Sequence, residues 1–172
     1  MKMRILVLNG SPHVSGNTAA MVNAFKEGAE SKGHTVEVIQ VGTKQVKGCL
    51  ACEYCHTKGN GKCIQKDDMV PVYEAIDTAD MIVFASPVYY FGLSGQMQSV
   101  ISRFYAYPVP KAKKYALLVS SMSPGVYDGI ISQYKGTVSY FGAQDMGIIT
   151  AHDPENKSAA KLAEVKKLGE SL

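Results

Sequence analysis

Asn9-Gly10-Ser11-Pro12-His13-Val14-Ser15-Gly16-Asn17-Thr18 is the stretch on which the fold turns. The apolar run Ile5-Leu6-Val7-Leu8 before it reads as a buried strand, and a helical pattern follows it, with Met21, Ala24, Phe25 and Gly28 on one side. A strand, a loop of small residues and then a helix build an anion pocket. Backbone N–H groups at the helix start face the loop, and the positive end of the helix dipole lies behind them. Ser11, Ser15, Asn17 and Thr18 add short polar side chains. An ordinary strand-to-helix turn with a good N-cap is the plainer reading, but four polar side chains and two glycines exceed what a cap needs. No lysine follows the second glycine, so this is not the GxxxxGK[ST] phosphate loop. The glycines are also wrongly spaced for GxGxxG. The loop suits one phosphate monoester, neutralised by dipoles and hydroxyls rather than by a cation.

Working outward, strand one covers residues 3–8 and helix one runs from Asn17 to Lys32, with Gly33 as its stop. Residues 35–40 form strand two. A connection from Val41 to Lys66 then holds all four cysteines and is too long for a plain loop between strand and helix. Asp67 or Asp68 caps helix two, and Pro71 is tolerable in its first turn. Met81-Ile82-Val83-Phe84-Ala85 is a fully apolar strand three, as expected where both faces of a parallel sheet are covered. Ser86 to Gly92 is a loop, and Ser94 caps helix three. Strand four (115–119) ends in the loop 120–125. Helix four runs from about Tyr127 to Gly142, and strand five covers 146–149. Asp153 as N-cap, with Pro154 and Glu155 after it, opens the last helix. Five strands alternating with five helices predict a single α/β domain over 1–172: a flavodoxin-like, doubly wound, five-stranded parallel sheet of order 2-1-3-4-5 in three layers. Ligands of such sheets sit outside the carboxyl ends of strands one and three, where the Asn9–Thr18 loop and the Ser86–Gly92 loop both fall.

The 172 residues, 46% hydrophobic and 19% charged, are enough for one domain with a proper core. A net charge of +3 is too small to argue for nucleic acid. No apolar run approaches the ~20 residues that span a membrane. The start of the chain enters the first strand directly, so a cytoplasmic location is expected.

Ser86-Pro87-Val88-Tyr89-Tyr90-Phe91-Gly92 places three adjacent aromatics at a strand end, next to the anion loop. A core or dimer-contact cluster is the bland reading. Its position favours a flat ring that needs apolar cover on its faces and N–H groups at its polar edge. Together, Gly10-Ser11-Pro12…Gly16-Asn17-Thr18 and Ser86-Pro87-Val88-Tyr89 resemble the two flavin loops of the NAD(P)H-dependent FMN reductase family, over essentially the whole chain. The resemblance implies that Ser11, His13, Ser15, Gly16, Asn17 and Thr18 hold the FMN phosphate. It further implies that Pro87, Val88, Tyr89, Tyr90, Phe91 and Gly92 line the isoalloxazine ring, and that Ser121, Met122 and Ser123 close the other side. A solvated loop histidine is an equal reading of His13. Dimerisation is expected on the same ground, with Tyr89, Tyr90 and Phe91 near the neighbouring subunit.

Cys49-x2-Cys52-x2-Cys55-x7-Cys63 has the CxxCxxC core that wraps a [4Fe–4S] cluster, with the fourth thiolate supplied separately. It resembles the iron–sulfur flavoprotein branch of the same superfamily. Lys44, Lys47, Lys58, Lys62 and Lys66, against the single acid Glu53, are expected to lower the thiol pKa values. A tetrahedral zinc site and unmetallated redox-active thiols are the other two readings. Similar reductase loops also end in Asp-Asp-Met, as here at 67–69, and the chain ends soon after the fifth helix.

The expected activity is an FMN-dependent oxidoreductase that takes hydride from NAD(P)H and passes electrons to a second acceptor at the same open face. No catalytic side chain is named, because the flavin carries the chemistry. With a cluster, single electrons would arrive from a ferredoxin-like donor docked on the basic cysteine loop. A zinc-binding regulatory flavodoxin-like module and a plain electron-carrier flavodoxin are the remaining alternatives. The basic balance and the cysteine insertion sit badly with the latter.

Overall fold

The computed structural model describes residues 1–106 and 110–172. In chain order the elements are β1 (Arg4–Asn9), α1 (Asn17–Ser31), β2 (Thr35–Ile39), α2 (Met69–Thr78), β3 (Met81–Tyr89), β4 (Gly92–Leu93), α3 (Gly95–Ser102), β5 (Lys114–Ser121), α4 (Asp128–Tyr140), β6 (Gln144–His152) and α5 (Ala159–Glu170). The sheet runs β2-β1-β3-β5-β6, all parallel, with β4 folded back antiparallel on β3. This is the flavodoxin-like order inferred from the sequence, with one short strand added.

Alternation along the strands divides the core into two layers. Leu6, Leu8, Ile82, Phe84, Leu117 and Val119 face α2, α3 and α4, packing on Val72, Ile76, Met97, Val100 and Tyr134. Ile5, Val7, Val83, Ala85 and Leu118 face α1 and α5, packing on Met21, Phe25 and Val165. Gly28 lets α1 and α5 approach closely: a Cβ there would stand 2.1 Å from the carbonyl oxygen of Lys166. Among the described residues no helix is long and apolar enough to cross a membrane.

Several boundaries differ from expectation, three of them near the ligand edge of the sheet. The third strand runs past Ala85 to Tyr89, because Ser86 and Pro87 still pair with Val119 and Ser120 of β5. Tyr90 and Phe91 then turn the chain into β4, both in the left-handed region with φ of 47° and 62°. Tight hairpins of this kind need two positive φ values, and aromatic residues adopt them only under strain. The last helix does not open at Asp153. Residues 155–157 form only a short 3₁₀ turn, ended by Ser158 in extended backbone (ψ 147°), and Asp153 Oδ1 accepts from Asn156 Nδ2 at 2.7 Å. Instead α5 starts at Ala159, capped by Ser158 Oγ, which accepts from the Lys161 amide at 3.2 Å. The fifth parallel strand, β6, is longer than expected, 144–152 rather than 146–149.

Candidate functional site

β1, β3 and β5 end at the same edge of the sheet, and the loops that leave them enclose a cleft of about 470 Å³. This volume lies within the roughly 300–1,000 Å³ of small-molecule sites. Ser11, His13, Gly16, Asn17 and Thr18 line one end of it, Pro87 to Phe91 one wall, and Ser121 and Met122 the other. Ser15 and Gly92 do not line it. Ser15 is exposed, with its carbonyl turned to Lys157 Nζ (3.4 Å), and Gly92 pairs with Tyr89 in the hairpin. The sequence reading missed two lining residues, Ser120 and Val126, although the pair Ser120-Ser121 at a strand end was a usable signal.

The polar end is the start of α1. Gly16 occupies the N-cap without a side chain to bond the first amides, which remain open to a ligand. Ser11 and Thr18 are buried here, and the Thr18 and Ser120 hydroxyls lie 2.7 Å apart across the cleft floor. No lysine, arginine, aspartate or glutamate is among the described residues that line the cleft. The other end is apolar and open: Tyr90 and Met122 are almost fully exposed on opposite rims, and Phe91 is largely exposed beside Tyr90. Asn156 also ties the third loop from below, donating to the Ser121 carbonyl at 2.8 Å.

The cysteine segment is built differently. Its two ends are clamped together beneath it. Asp67 Oδ2 accepts from the Lys47 amide (3.0 Å) and from Arg103 Nη1 (2.8 Å), and Arg103 Nη1 also donates to the Lys47 carbonyl at 2.9 Å. Asp68 accepts from the Gln45 amide at 2.8 Å. The expected helix-capping acids thus cap α2 only in part, Asp67 Oδ1 taking the Met69 amide at 3.2 Å, and otherwise lock the segment's base. Arg103, which the sequence reading did not single out, is 1% exposed. Burial alone would raise the Asp67 pKa, but the bonds from Arg103, Lys47 and Met69 outweigh it and hold the carboxyl below its usual range. Burial also pushes the nearby Tyr73 phenol up to about 12, and its hydroxyl donates to the Arg103 carbonyl at 3.0 Å.

Between its clamped ends the segment is solvent-exposed and tied at Tyr105, whose hydroxyl donates to Glu53 Oε1 (2.8 Å) and whose carbonyl oxygen lies 2.8 Å from His56 Nε2. Cys49 and Cys52 are exposed, Cys55 and Cys63 half-buried, and all four are free thiols. Ala51, Glu53 and Asn60 sit at positive φ. Among the described residues no three histidine, cysteine, aspartate or glutamate side chains are grouped to hold a metal ion, so in this conformation the four sulfurs do not fit a cluster or a zinc ion. The expectation of lowered thiol pKa values is corrected at Cys55. Its thiol is pushed up, first by burial and then by Cys63, Cys49 and Glu53, whereas the lysines do not govern it.

Comparison with known proteins agrees with this architecture. The chain is 33% identical over 134 residues to an iron–sulfur flavoprotein of Archaeoglobus fulgidus, covering 78% of this chain and 56% of that protein. It is 37% identical over 101 residues to one of Methanocaldococcus jannaschii, covering 59% and 50% respectively. The chain therefore spans about half the length of the curated relatives it matches. Its fold is similar to that of the NAD(P)H:quinone oxidoreductase of Methanothermobacter marburgensis (TM-score 0.73, 16% identity, 99% of this chain and 96% of that one). It is likewise similar to an FMN-dependent NADH-azoreductase of Bacillus anthracis (TM-score 0.70, 15% identity, 99% of both chains). The family described as NADPH-dependent FMN reductase matches residues 3–154, and the chain belongs to that family.

Proposed function

We propose that the chain binds FMN in the cleft at the ends of β1, β3 and β5 and works as an oxidoreductase, moving reducing equivalents from NAD(P)H to an acceptor at the open face. One observation carries the reading: a single cleft joins a cation-free, donor-rich end to apolar, aromatic walls. A phosphate monoester and a planar ring require those two surroundings, in that order along the ligand. The flavin, when bound, supplies hydride and single-electron chemistry that no side chain here can supply.

The chain's own part is placement. Ser11, Gly16, Asn17 and Thr18, with the first amides of α1, would hold the phosphate through hydrogen bonds and the helix dipole. Pro87 to Phe91 and Ser121-Met122 would flank the ring and exclude water from its sides, and the exposed rim is where donor and acceptor would reach the cleft in turn. His13 stands at the phosphate end, exposed. Ser15 and Gly92 leave the binding set. The family and the FMN-bound azoreductase relative support the cofactor, and the quinone oxidoreductase and azoreductase relatives support a small oxidised acceptor. A second copy of the chain covering the exposed Tyr90, Phe91 and Met122 would complete the cleft mouth, and sedimentation as a dimer is the expected result. The name of the iron–sulfur relatives favours a cluster on the cysteines, but the thiols as placed do not form its site, so the reaction is derived without them.

Titration of cofactor-free protein with FMN and with riboflavin, followed by flavin fluorescence, tests the reading. Binding of FMN tighter than riboflavin, with NAD(P)H bleaching the bound flavin, is expected. No binding, or equal affinity for the two, overturns it.

A further inference from the structure

Two carbonyl groups of the phosphate loop, those of Gly10 and Ser11, are each engaged by a side chain that does not line the cleft. Ser94, fully buried, donates Oγ–H to the Gly10 carbonyl at 2.7 Å. Gln40 donates Nε2–H to the Ser11 carbonyl. The Gln40 contact belongs to a closed ring. The Ser11 amide donates to Asn9 Oδ1 (3.0 Å), Asn9 Nδ2 donates to Gln40 Oε1 (2.9 Å), and Gln40 Nε2 returns to Ser11. Two amide side chains therefore hold both the N–H and the C=O of one loop residue. Gly42, two residues beyond Gln40, lies directly behind the same peptide: a Cβ there would stand 2.0 Å from the Ser11 carbonyl oxygen.

We infer that Gln40 and Ser94 are positioning residues for phosphate recognition, holding the Gly10 and Ser11 carbonyls away from the anion and fixing the turn in which Ser11 Oγ accepts from the His13 amide at 3.1 Å. The physical need is simple. A loop that binds an anion without any cation works only if its N–H and O–H dipoles face the ligand and its carbonyl dipoles do not. No lysine or arginine among the described lining residues is present to mask a misplaced carbonyl. A donor on the far side is the remaining means of turning and neutralising each one. A ring of hydrogen bonds, each polarising the next, also holds such a turn more firmly than isolated bonds would. Gln40 and Ser94 come from opposite sides, one after β2 and one at the start of α3, so neither sequence neighbourhood announces the role.

This rests on the FMN reading above, and the experiment separates the two. Affinities for FMN and riboflavin are measured for the wild-type chain, Gln40→Leu and Gln40→Glu. Glutamate keeps the size of Gln40 and can keep the Asn9 contact, but it presents an oxygen to the Ser11 carbonyl. Both variants are expected to bind FMN roughly tenfold more weakly while riboflavin affinity changes less than about twofold, so the FMN preference collapses. A merely structural role would weaken both ligands alike, and that result, or no change in either, overturns the inference. If Gln40→Leu does not fold, Gln40→Glu and Ser94→Ala carry the same ratio test. Loss of FMN preference in the wild-type chain itself would instead strike the functional reading.

Discussion

The cleft and the cysteine segment are both loops on the same sheet, yet they are held in opposite ways. In the cleft, the backbone is braced point by point: Gly10 by Ser94 and Ala85, Ser11 by Asn9 and Gln40, and Ser121 by Asn156. In the cysteine segment the buried bracing is at the two ends, where Arg103, Asp67 and Asp68 close the base; between them the ties are solvent-exposed ones, from Cys49 to Ser102 and from Glu53 and His56 to Tyr105, and the thiols remain exposed or half-exposed. A site fixed by strand ends inherits the rigidity of the sheet. A site whose ties beyond its base are solvent-exposed opposes a change of shape less than one braced by buried contacts does.

The largest effect expected from breaking this contrast is at the clamp. Arg103→Ala empties the site of a buried guanidinium and leaves the half-buried Asp67 carboxylate with only backbone amides for partners, and should cost about 3 kcal/mol in urea denaturation. A loss under about 1 kcal/mol would show that the ends are held by something else. The clamp also has a pH signature. The Asp67 pKa is depressed on folding, so its contribution is full above the ordinary value of 3.8 and is lost as pH falls through the lower folded value. The stability gap between wild type and Asp67→Asn should therefore narrow in acid and be steady near neutrality.

Next in size is the cleft floor. Thr18→Val removes one hydroxyl from the phosphate end with little change of shape and should weaken FMN roughly tenfold. Ser15→Ala, outside the cleft, should leave affinity within about twofold. Equal losses would erase the distinction the structure draws between the two. Smaller still is the rim. Tyr90→Gly relieves a left-handed aromatic and should raise stability by about 1 kcal/mol in thermal melts while lowering the turnover of acceptor. A variant that is neither more stable nor slower would mean the strain serves nothing at the cleft. The mildest test is chemical. Exposed Cys49 and Cys52 should be alkylated faster than Cys55, whose thiol is raised by burial, and uniform rates would contradict that difference in exposure.

Much of the cleft was legible in the sequence because it is local. Gly10 to Thr18 is one continuous strand–loop–helix passage, and Ser86 to Phe91 is another, so small residues, donors and aromatics at strand ends pointed to the site directly. That Ser15 lies outside the cleft lining was not legible, because a polar residue in a loop has no period to say which way it faces. Asp153 was misread as the helix cap because Ser158, in extended backbone, breaks the chain after a 3₁₀ turn and caps α5 itself, and nothing in the local pattern marks which of the two caps wins. The cysteine spacing named a ligand set, yet spacing says nothing about whether sulfurs converge.

By itself the sequence determined the alternation of strand and helix, hence the parallel sheet and the edge at which a ligand sits, because buried strands must be apolar and a doubly wound sheet has one crevice. Only the tertiary structure decided which donors stand behind the phosphate loop, which acid pairs with Arg103, and which loop residues turn inward. Each of those depends on side chains tens of residues apart meeting at short range. Hydrogen bonds and buried charges reward only that meeting, and never the sequence separation that precedes it.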